Sequence, residues 1–594
     1  MASDGTIDTI LTTSNINSLV SSYITNETNR IVTPISTRQT RYQNLSSAYS
    51  IFSSKLSVLK TILSDFKITD STSLFNAKTA ASSNSTFITT SVDNSASIGA
   101  YSMRVNQLAK NDVLLSQDLA SSTANAITGT HTFTIKTGDG SNPDFTSNVE
   151  VTFTGSETNQ TVMEKIRDAV NSDKAVVQSD AKTASTSYTG GASTFTIDLN
   201  GTETTISVNG GGTYEDLIDE IVSHITSNVS GVTAEKVLDS PDPGDVSLKL
   251  TVTDSKNYIS IANTSGFDVV SDLNIGAVKE KGASGMVTAS AFTPSSGYTQ
   301  FSLTSKETGV DYRIKEVSDN GTYTALSSIG LNIGTNRPTF DQSSDPDTPG
   351  FLYSDISNNS LLNANFTFNG LTVSRNSNTI DDLVTGATFN LKAEMQATDS
   401  DVNVSVSNNV KTIESKVQDF ISKFNDIYQY LKTNSTAGTS STSGVLAYDS
   451  NASALLGILR SFAYTSVSGL PSSDLKSLSE IGISFNTSTG FSISDTATFE
   501  QQVNEKADQV AALFNSTNGI ANTLYDRVDP YLGAAGYLSL KKSTYDNNVR
   551  ALSDKITSAQ NRINNSADSL RSQYEKLQSQ LAAMISMQNM INLL

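Results

Sequence analysis

The chain has 594 residues, too many for one hydrophobic core, so we expect about three or four domains that each bury a core of their own. Only 17% of the residues are charged and the formal net charge is −19, which disfavours nucleic acid or an anionic membrane as the main partner. No cysteine is present, which excludes disulfide bonds and thiolate metal sites.

The first helical signal is a seam between residues 45 and 66, where apolar residues recur at alternating steps of four and three. The seam residues are Leu45, Tyr49, Phe52, Leu56, Leu59, Leu63 and Phe66. The same phase extends back to about residue 17, although Pro34 interrupts it and the polar Thr28 and Arg38 weaken it. We therefore predict one long, imperfect helix over residues 17–66 with a kink at Pro34.

The middle of the chain contains a recurring unit of two strands followed by a helix. Residues 132–170 and 194–225 both show this order, and in the second unit Asn200 and Gly201 form the turn while Thr213 caps the helix. Residues 366–391 are predicted to be a third unit, because the stretch NTIDDLV within them resembles GTYEDLI in the second. Repetition of this kind indicates modular packing.

The C-terminal region repeats the helical design with a second seam. Its phase slips by an extra step of four after Leu570, a stutter that locally unwinds a coiled coil. The seam residues singled out are Val549, Leu552, Ile556, Ile563, Leu570, Leu577 and Met584. A single stripe would also be typical of the core face of a helical bundle, but two matching stripes predict that the first helix pairs with the last and with copies from other chains.

Catalytic motifs are scarce in the sequence. Only two histidines exist, His131 and His224, and we expect both to be ordinary surface or flanking residues. The motifs of zinc hydrolases, nucleotide-binding loops and serine nucleophiles are missing, although two carboxylates distant in sequence would leave no motif. We therefore expect no cofactor, no metal site and no enzymatic activity, and we favour an assembly function.

Several segments suggest linkers or chain ends. The Asp- and Pro-rich residues 239–245 and 341–350 are interpreted as solvated loops, since they lack the glycine and terminal glutamate of a calcium-binding EF-hand loop. The first twenty residues show no secretory signal peptide, and the apolar stretch 581–594 is too short to span a bilayer. Export by the general secretory route is therefore not expected.

Two short blocks carry a resemblance to a known family. The first, GAYSMRVNQLAKND, matches the family signature through Gly99, Tyr101, Met103, Val105, Leu108 and Ala109. The second, FTFNGLTVSRNSNTIDDLVTGATFNL, matches through Asn369, Gly370, Arg375, Asn378 and Gly386. With these blocks and its terminal seams, the chain resembles the bacterial flagellar filament cap family, also called flagellar hook-associated protein 2. The resemblance covers both flanks and hardly touches the middle insert.

The resemblance implies an α+β multidomain fold. The long N- and C-terminal helices would pair as a coiled-coil leg, joined to an α/β body domain and to β-rich inserted outer domains. The implied boundaries are 1–75 and 520–594 for the leg helices, 76–126 and 355–519 for the two parts of the body, and 127–265 and 266–354 for the inserts. The first insert would carry the strand–strand–helix repeats.

The function implied by the resemblance is mechanical. A ring of about five copies would close the distal end of the filament, help exported flagellin to fold and insert, and prevent its loss. The implied partners are copies of the chain itself, flagellin, hook–filament junction proteins, an export chaperone and host surface ligands. The chain would act outside the cell, after export through the flagellar type III pathway without a cleaved signal peptide. The two leg seams would contact other copies and the filament.

Other functions stay open at this point. An extracellular adhesin would use the variable, acidic insert as its binding module. A hook–filament junction protein or a flagellin would share the paired terminal helices, but not the second signature block. An enzyme is disfavoured by the scarcity of histidine and the absence of cysteine.

Overall fold

A computed structural model gives the fold and describes residues 12–138, 144–238, 244–341, 348–353, 359–438 and 443–592. The chain divides into two compact units. The helical unit comprises Met1–Thr79, Asp93–Ala96 and Ser407–Leu594, and the strand-rich unit comprises Ala80–Val92 and Ser97–Val406. The predicted loops 239–245 and 341–350 lie largely outside the described residues, and the finer division into six segments stays a prediction.

Helices and strands alternate along the described part of the chain. The helices are α1 (Thr13–Glu27), α2 (Thr33–Phe66), α3 (Asn159–Ser172), α4 (Tyr214–Asn228), α5 (Val269–Leu273), α6 (Ala283–Met286), α7 (Val410–Asn434), α8 (Ser450–Phe462), α9 (Thr496–Glu505), α10 (Ala507–Asn515), α11 (Ile520–Val528) and α12 (Tyr537–Asn592). The strands are β1 (Lys78–Ser82), β2 (Ile88–Val92), β3 (Gly99–Gln107), β4 (Asn111–Ala120), β5 (Thr128–Thr137), β6 (Phe145–Thr154), β7 (Val176–Gln178), β8 (Lys182–Thr183), β9 (Ser193–Leu199), β10 (Thr202–Val208), β11 (Val232–Leu238), β12 (Asp245–Val252), β13 (Tyr258–Gly266), β14 (Ala277–Lys281), β15 (Val287–Phe292), β16 (Tyr298–Thr308), β17 (Ile314–Asp319), β18 (Gly350–Phe351), β19 (Ala364–Phe368), β20 (Leu371–Arg375), β21 (Thr379–Val384), β22 (Ala387–Leu391), β23 (Val402–Asn408), β24 (Ile483–Asn486) and β25 (Gly490–Ile493).

A π-helical turn separates α1 from α2, where the sequence predicted one kinked helix. Thr12 caps α1 by accepting a hydrogen bond from the backbone N–H of Asn15 at 3.2 Å. The π turn spans Thr28–Val32 and widens the backbone just before Pro34, which lies in the first turn of α2, where a missing N–H costs little. The interruption near Pro34 is confirmed, but it is a widened turn between two helices.

The first and last helices of the chain pair with each other, which confirms that part of the prediction, while pairing with other copies stays a prediction. Helix α12 runs antiparallel to α1 and α2, and its 56 residues make it about 84 Å long. Ile16 and Val20 of α1 pack against Ala567 of α12. We call residues 13–42 and 545–592, which include this pairing and the end of α12 beyond it, the leg.

Beyond the leg, α2 enters the main core of the helical unit. Its apolar side chains pack against α7 and α11, whose own apolar residues recur every three or four positions. The ring of Phe66 lies 5.6, 5.8 and 5.2 Å from the rings of Phe75, Phe420 and Phe514. This half of α2 is therefore a core helix of a folded body.

The two signature blocks lie in two small sheets of the strand-rich unit. One is a five-stranded sheet of order β1-β23-β3-β19-β20, and the other is a three-stranded sheet of order β2-β22-β21. Met103, Val105 and Phe366 of the first sheet share a buried core with Ile380 and Phe389 of the second. Met103 and Val105 of the first block therefore lie on the core face of β3.

The third predicted strand–strand–helix unit is wrong, because Thr379–Val384 is strand β21. In the second unit, Thr213 opens α4 with a reciprocal capping box, and an apolar stripe continues along the helix. The capping box of the second unit uses Asp216, and Asp382 has the equivalent position in the third. Asp382 instead forms an ion pair with Arg375 at 2.8 Å, and Gly386 turns the chain back with φ of 72°. A seven-residue match therefore does not fix helix or strand when its surroundings differ.

The rest of the strand-rich unit forms two modules with separate cores. Module A, residues 111–173 and 282–353 within the described ranges, contains β5, β6 and α3. Module B, residues 174–281, contains β9, β10 and α4. The first two predicted units are therefore confirmed, one in each module. A seven-stranded sheet of order β10-β9-β13-β14-β6-β5-β17 includes strands of both modules.

His131 is buried inside module A, so the expected surface or flanking position is wrong. Strand β5 begins at Thr128, three residues earlier than His131, and the pleat turns the imidazole into the core. Its Nδ1 accepts a hydrogen bond from the backbone N–H of Thr324 at 3.1 Å, and its ring meets those of Phe153 and Tyr323 edge-on. His131 is a packed core residue, whereas His224 is half-buried on α4.

Tyr101→Ala should lower the free energy of unfolding of the strand-rich unit by about 2 kcal/mol. The Tyr101 ring stacks on Phe368 at 5.4 Å and meets Phe389 edge-on at 6.0 Å, so its loss opens a gap in the core of the two small sheets. Tyr101→Phe is the matched control. It keeps the ring and removes only the hydroxyl, whose hydrogen bond to the carbonyl oxygen of Ser97 is long and weak at 3.5 Å. Urea denaturation measures both variants, and a large loss in Tyr101→Phe would contradict the packing role.

Candidate assembly surface

The seam of α2 lies almost entirely inside the chain's own core. Leu45 is half-buried, and the six following seam residues are at most 1% exposed. Those six are Tyr49, Phe52, Leu56, Leu59, Leu63 and Phe66. They have no surface left for another chain in this conformation. Heptad spacing shows that one side of a helix is covered, but it does not identify the partner.

The seam of α12 is covered along the leg and uncovered at its end. Leu552 and Ile563 are buried against the N-terminal helices, and Val549, Ile556 and Leu570 are half-buried. Leu577 and Met584 are 44% and 60% exposed. The contact side of α12 therefore changes from a covered seam to an open stripe after about Leu570.

The predicted phase slip is present, but it occurs earlier than the sequence suggested. The buried side passes from Ile563 to Ala567, a step of four, while Ser566, which an unbroken heptad phase would place on the seam, is exposed. Ala567 gives only a weak apolar signal in the sequence, because its side chain is small. The slip opens a groove of about 350 Å³ lined by Tyr23, Leu570 and four polar residues of α12.

Small contacts hold the leg together. Val32 packs against Ala559 and Ile563, and Arg571 Nη1 donates a hydrogen bond to Asn17 Oδ1 at 2.9 Å. Alanine at the interface brings the helices close but buries little apolar area. The leg is consequently a weaker pairing than the core that follows it.

The end of α12 is apolar and carries no charge. No Asp, Glu, Lys or Arg follows Lys576 in the sequence. The exposed apolar side chains are Leu577, Met584, Met587, Met590 and Ile591. Within the described residues, no helix is both long and apolar enough to cross a bilayer. Methionine side chains are flexible and adapt to irregular partner surfaces, so this stripe suits a protein contact.

Asp449 connects the base of the leg to the body of the helical unit. Its carboxylate accepts hydrogen bonds from the hydroxyls of Tyr49 in α2 and of Tyr537 at the start of α12. It also caps α8 by accepting from the backbone N–H of Ala452 at 2.8 Å. One carboxylate therefore fixes three helices at the point where the leg begins.

The environment of Asp449 shifts the pKa values of all three groups. Burial acts to raise the pKa of Asp449, but the hydrogen bonds from Tyr49, Tyr537 and the backbone outweigh it, and the pKa falls below its usual value. Burial, followed by the bond to Asp449, raises the pKa of Tyr49 strongly and that of Tyr537 to about 12. The site therefore holds one carboxylate and two neutral phenols at neutral pH.

A row of aromatic and polar contacts continues from this point up the leg. The ring of Tyr545 stacks on Tyr49 at 5.6 Å and lies 5.7 Å from Tyr42. The hydroxyl of Ser46 donates to Asp546, which also binds Lys542 at 2.6 Å. These contacts fix the register between α2 and α12.

The signature residues lie apart from the leg and shape the strand-rich unit. Asn369 and Gly370, with φ of 48° and 83°, form the tight turn between β19 and β20. Asn369 Oδ1 also accepts a hydrogen bond from the backbone N–H of Ser102 at 2.9 Å. Asn378 binds the backbone of Ala109 twice, accepting at 2.7 Å and donating at 2.9 Å. The two blocks therefore interlock, with Asn378 of one holding the end of the other.

The remaining signature residues also have structural positions. Val105 is buried, the backbone N–H of Leu108 donates to Glu394 at 3.2 Å, and a Cβ at Gly99 would lie 3.2 Å from the Tyr101 hydroxyl. Within the described residues, no cluster of three or more histidine and acidic side chains suits a metal ion. The signature residues thus determine how the two small sheets of the strand-rich unit fold. The exposed end of the leg is the better candidate for assembly.

Asp449→Asn should lower the free energy of unfolding of the helical unit by about 2 kcal/mol at neutral pH, because a neutral amide accepts more weakly from two hydroxyls. The pKa of Asp449 is lower in the folded than in the unfolded chain. Its contribution is therefore complete above the unfolded carboxyl pKa of about 4 and is lost as the pH falls further. Urea denaturation at about pH 7 and about pH 3 should show the difference shrinking at the lower pH.

Tyr537→Phe is the control for this prediction, since it removes one of the two hydroxyl donors and leaves the ring in place. Its effect should be smaller than that of Asp449→Asn. Equal stability of Asp449→Asn and the native chain at neutral pH would show that Asp449 does not hold the base of the leg.

Comparisons with known proteins agree with the resemblance at both ends of the chain. The model for the flagellar hook-associated protein 2 N-terminus matches residues 12–112, and the model for the C-terminus of the same family matches residues 362–587. The B-type flagellar hook-associated protein 2 of Pseudomonas aeruginosa is 24% identical over 330 residues, covering 52% of this chain and 66% of the relative. The Vibrio cholerae flagellar hook-associated protein 2 is 25% identical over 225 residues, covering 36% and 33%.

Two solved structures are also similar to parts of the chain. The flagellar cap protein FliD D1-D2-D3 domains from Escherichia coli share 18% identity, with a TM-score of 0.45 and coverage of 84% of this chain and 99% of that one. FliD from Pseudomonas aeruginosa PAO1 shares 16% identity, with a TM-score of 0.25 and coverage of 60% and 99%. The aligned part of this chain spans just under two thirds of the two Pseudomonas hook-associated relatives, 66% and 65%. The family assignment rests on the two sequence models, which together match more than half of the chain: it belongs to the flagellar hook-associated protein 2 family.

Proposed function

We propose that this protein caps the distal end of a bacterial flagellar filament. As an oligomeric ring it promotes the folding and insertion of exported flagellin and prevents its loss. The observation that carries this proposal is the leg. Its three helices, α1, α2 and α12, lie almost entirely in the two regions matched by the family models, and α12 ends in an exposed, uncharged apolar stripe.

The leg combines a firm base with a weakly held end. Tyr49 and Tyr537 fix the base through Asp449, whereas the pairing higher up depends on alanine contacts and a polar groove. A cap must release and rebind the filament each time a subunit is added, so its filament contact cannot be a deep energy minimum. We propose that the open stripe from Leu577 to Ile591 makes this contact, while the buried seam of α2 holds the chain together.

Self-association and the remaining partners follow from the same proposal. The ring contains about five copies, as in a closed cyclic assembly with one repeated interface. Flagellin, the hook–filament junction proteins and an export chaperone are its further partners. The protein acts outside the cell at the filament tip, after export through the flagellar type III pathway. The family models name hook-associated protein 2 at both ends, which disfavours a junction protein or a flagellin.

The double variant Leu577→Ser/Met584→Ser should abolish capping without changing stability. Both side chains are exposed, so the free energy of unfolding should change by less than about 0.5 kcal/mol. In a strain that lacks its own cap, the variant should leave cells poorly motile and release flagellin as monomer into the medium. Swimming assays, immunoblots of culture supernatant and electron microscopy of the purified ring measure these effects.

Gln580→Ser/Asn589→Ser is the matched control, since it changes two exposed polar residues of the same helix end. It should restore swimming and retain flagellin on the filament. Normal swimming with the double variant Leu577→Ser/Met584→Ser would show that the stripe does not make the filament contact. If the native chain restores filament capping in none of the cap-deficient flagellated strains tested, the proposed capping function is wrong.

A further inference from the structure

Two chain segments connect module A with module B, and they cross in close contact. Residues 173–175 lead from α3 into module B, and residues 281–283 lead back from β14. A Cβ atom placed on Gly282 would lie 2.6 Å from both the carbonyl oxygen of Asp173 and the Cα of Lys174. The crossing therefore requires glycine at position 282, and it confines the covalent connection between the modules to one point.

Among the described residues, few other contacts join the modules near this crossing, and one of them is the close approach of Gly285 in module A to the backbone carbonyl oxygen of Ser255 in module B. Strand β14 pairs with β6 through a single residue pair, Glu280 with Thr146. Phe145 of module A lies 5.6 Å from the ring of Tyr258 in module B, and the ammonium groups of Lys279 and Lys281 lie 5.3 and 4.9 Å from the Phe145 ring centre. The two module cores remain separate clusters. A narrow connection of this kind permits rotation of one module against the other.

The carboxylate of Asp173 holds the crossing segments together by hydrogen bonds, and we call this set of bonds the latch. It accepts hydrogen bonds from the Ser147 hydroxyl at 2.5 Å and from the backbone N–H of Ala283 at 2.6 Å. The hydroxyl of Ser284 donates to the backbone carbonyl of Asp173 at 2.5 Å. One residue thus ties the outgoing segment to β6 and to the returning segment.

A second half-buried carboxyl, Glu280, lies near this latch, since it pairs with Thr146, the neighbour of Ser147 in β6. The charged groups that act on it are Asp173 at the end of α3 and Lys136 of β5, and Lys136 is itself paired with Glu316 of β17 at 2.8 Å. Burial, then the charge of Asp173, raises the pKa of Glu280 to about 7, against the opposing effect of Lys136. Burial also raises the pKa of Asp173, although the bonds from Ser147 and Ala283 oppose this.

We propose that the crossing at Gly282 is a hinge between the two modules, and that the half-buried carboxyls of Asp173 and Glu280 make its stiffness depend on pH. A raised carboxyl pKa means that the latched form binds its proton more tightly than a form open to water. The latched form is therefore favoured at mildly acidic pH, and its advantage is lost as the pH rises through about 7. At higher pH the two carboxylates repel each other and module B moves more freely. The hinge does not depend on the capping function.

Spin labels can measure this motion in the full chain, because the chain has no native cysteine. Thr205→Cys in β10 and Ser290→Cys in β15 place one exposed label on each module. Double electron–electron resonance then gives the distribution of label distances at about pH 5 and about pH 8.5, on either side of the Glu280 titration. We expect one narrow distance at the lower pH, and a second population that rises at least tenfold at the higher pH.

Three variants separate the hinge from the latch. Glu280→Gln mimics the protonated carboxyl, so it should keep the narrow distance at both pH values. Glu203→Gln, an exposed substitution on β10, is the matched control and should keep the native pH response. Gly282→Ala should separate the crossing segments and show the second population already at about pH 5, with circular dichroism confirming that the chain is folded.

The outcomes decide both parts of the proposal. An identical distribution at both pH values in the native chain would overturn the pH dependence. An unchanged pH response in Glu280→Gln would overturn the role of the carboxyl pair. A single narrow distance in every variant, including Gly282→Ala, would overturn the hinge.

Discussion

Burial of the apolar side of α2 is the interaction on which the helical unit depends. One helix serves two functions, since its first half forms the leg with α12 and its second half lies in the core with α7 and α11. Full burial of side chains such as Phe52 and Leu59 stabilises by about 1.5–3 kcal/mol each. The leg is consequently an extension of a folded body, and its position is set where the helix leaves that body.

Stability decreases along the leg from its base to its end. At the base, Asp449 and the stacked Tyr49 and Tyr545 rings fix the helices by directional contacts. Further out, Ala567 and a polar groove give a looser fit, and the last turns of α12 show exposed methionines. In the proposed capping function, a graded leg of this kind would let its end exchange partners while the helical unit stays folded.

The strand-rich unit uses a different principle, in which short polar contacts define the joints between small cores. Asn378 links the two signature blocks through the backbone of Ala109, and Asp173 links the two module connections through Ala283. Each joint depends on one side chain that bonds to backbone groups. Such joints fix geometry without a large buried area.

The sequence by itself determined the helical ends, the pairing of the first helix with the last, and two of the three strand–strand–helix units, because apolar periodicity records which side of an element is covered. It also contained the signature that places the chain in its family. Only the tertiary structure decided which partner covers each side: α2 enters the core, His131 faces inward, and NTIDDLV is a strand although its near twin is a helix. Local sequence sets a preference of a few tenths to about one kcal/mol per residue, and long-range packing overrides it.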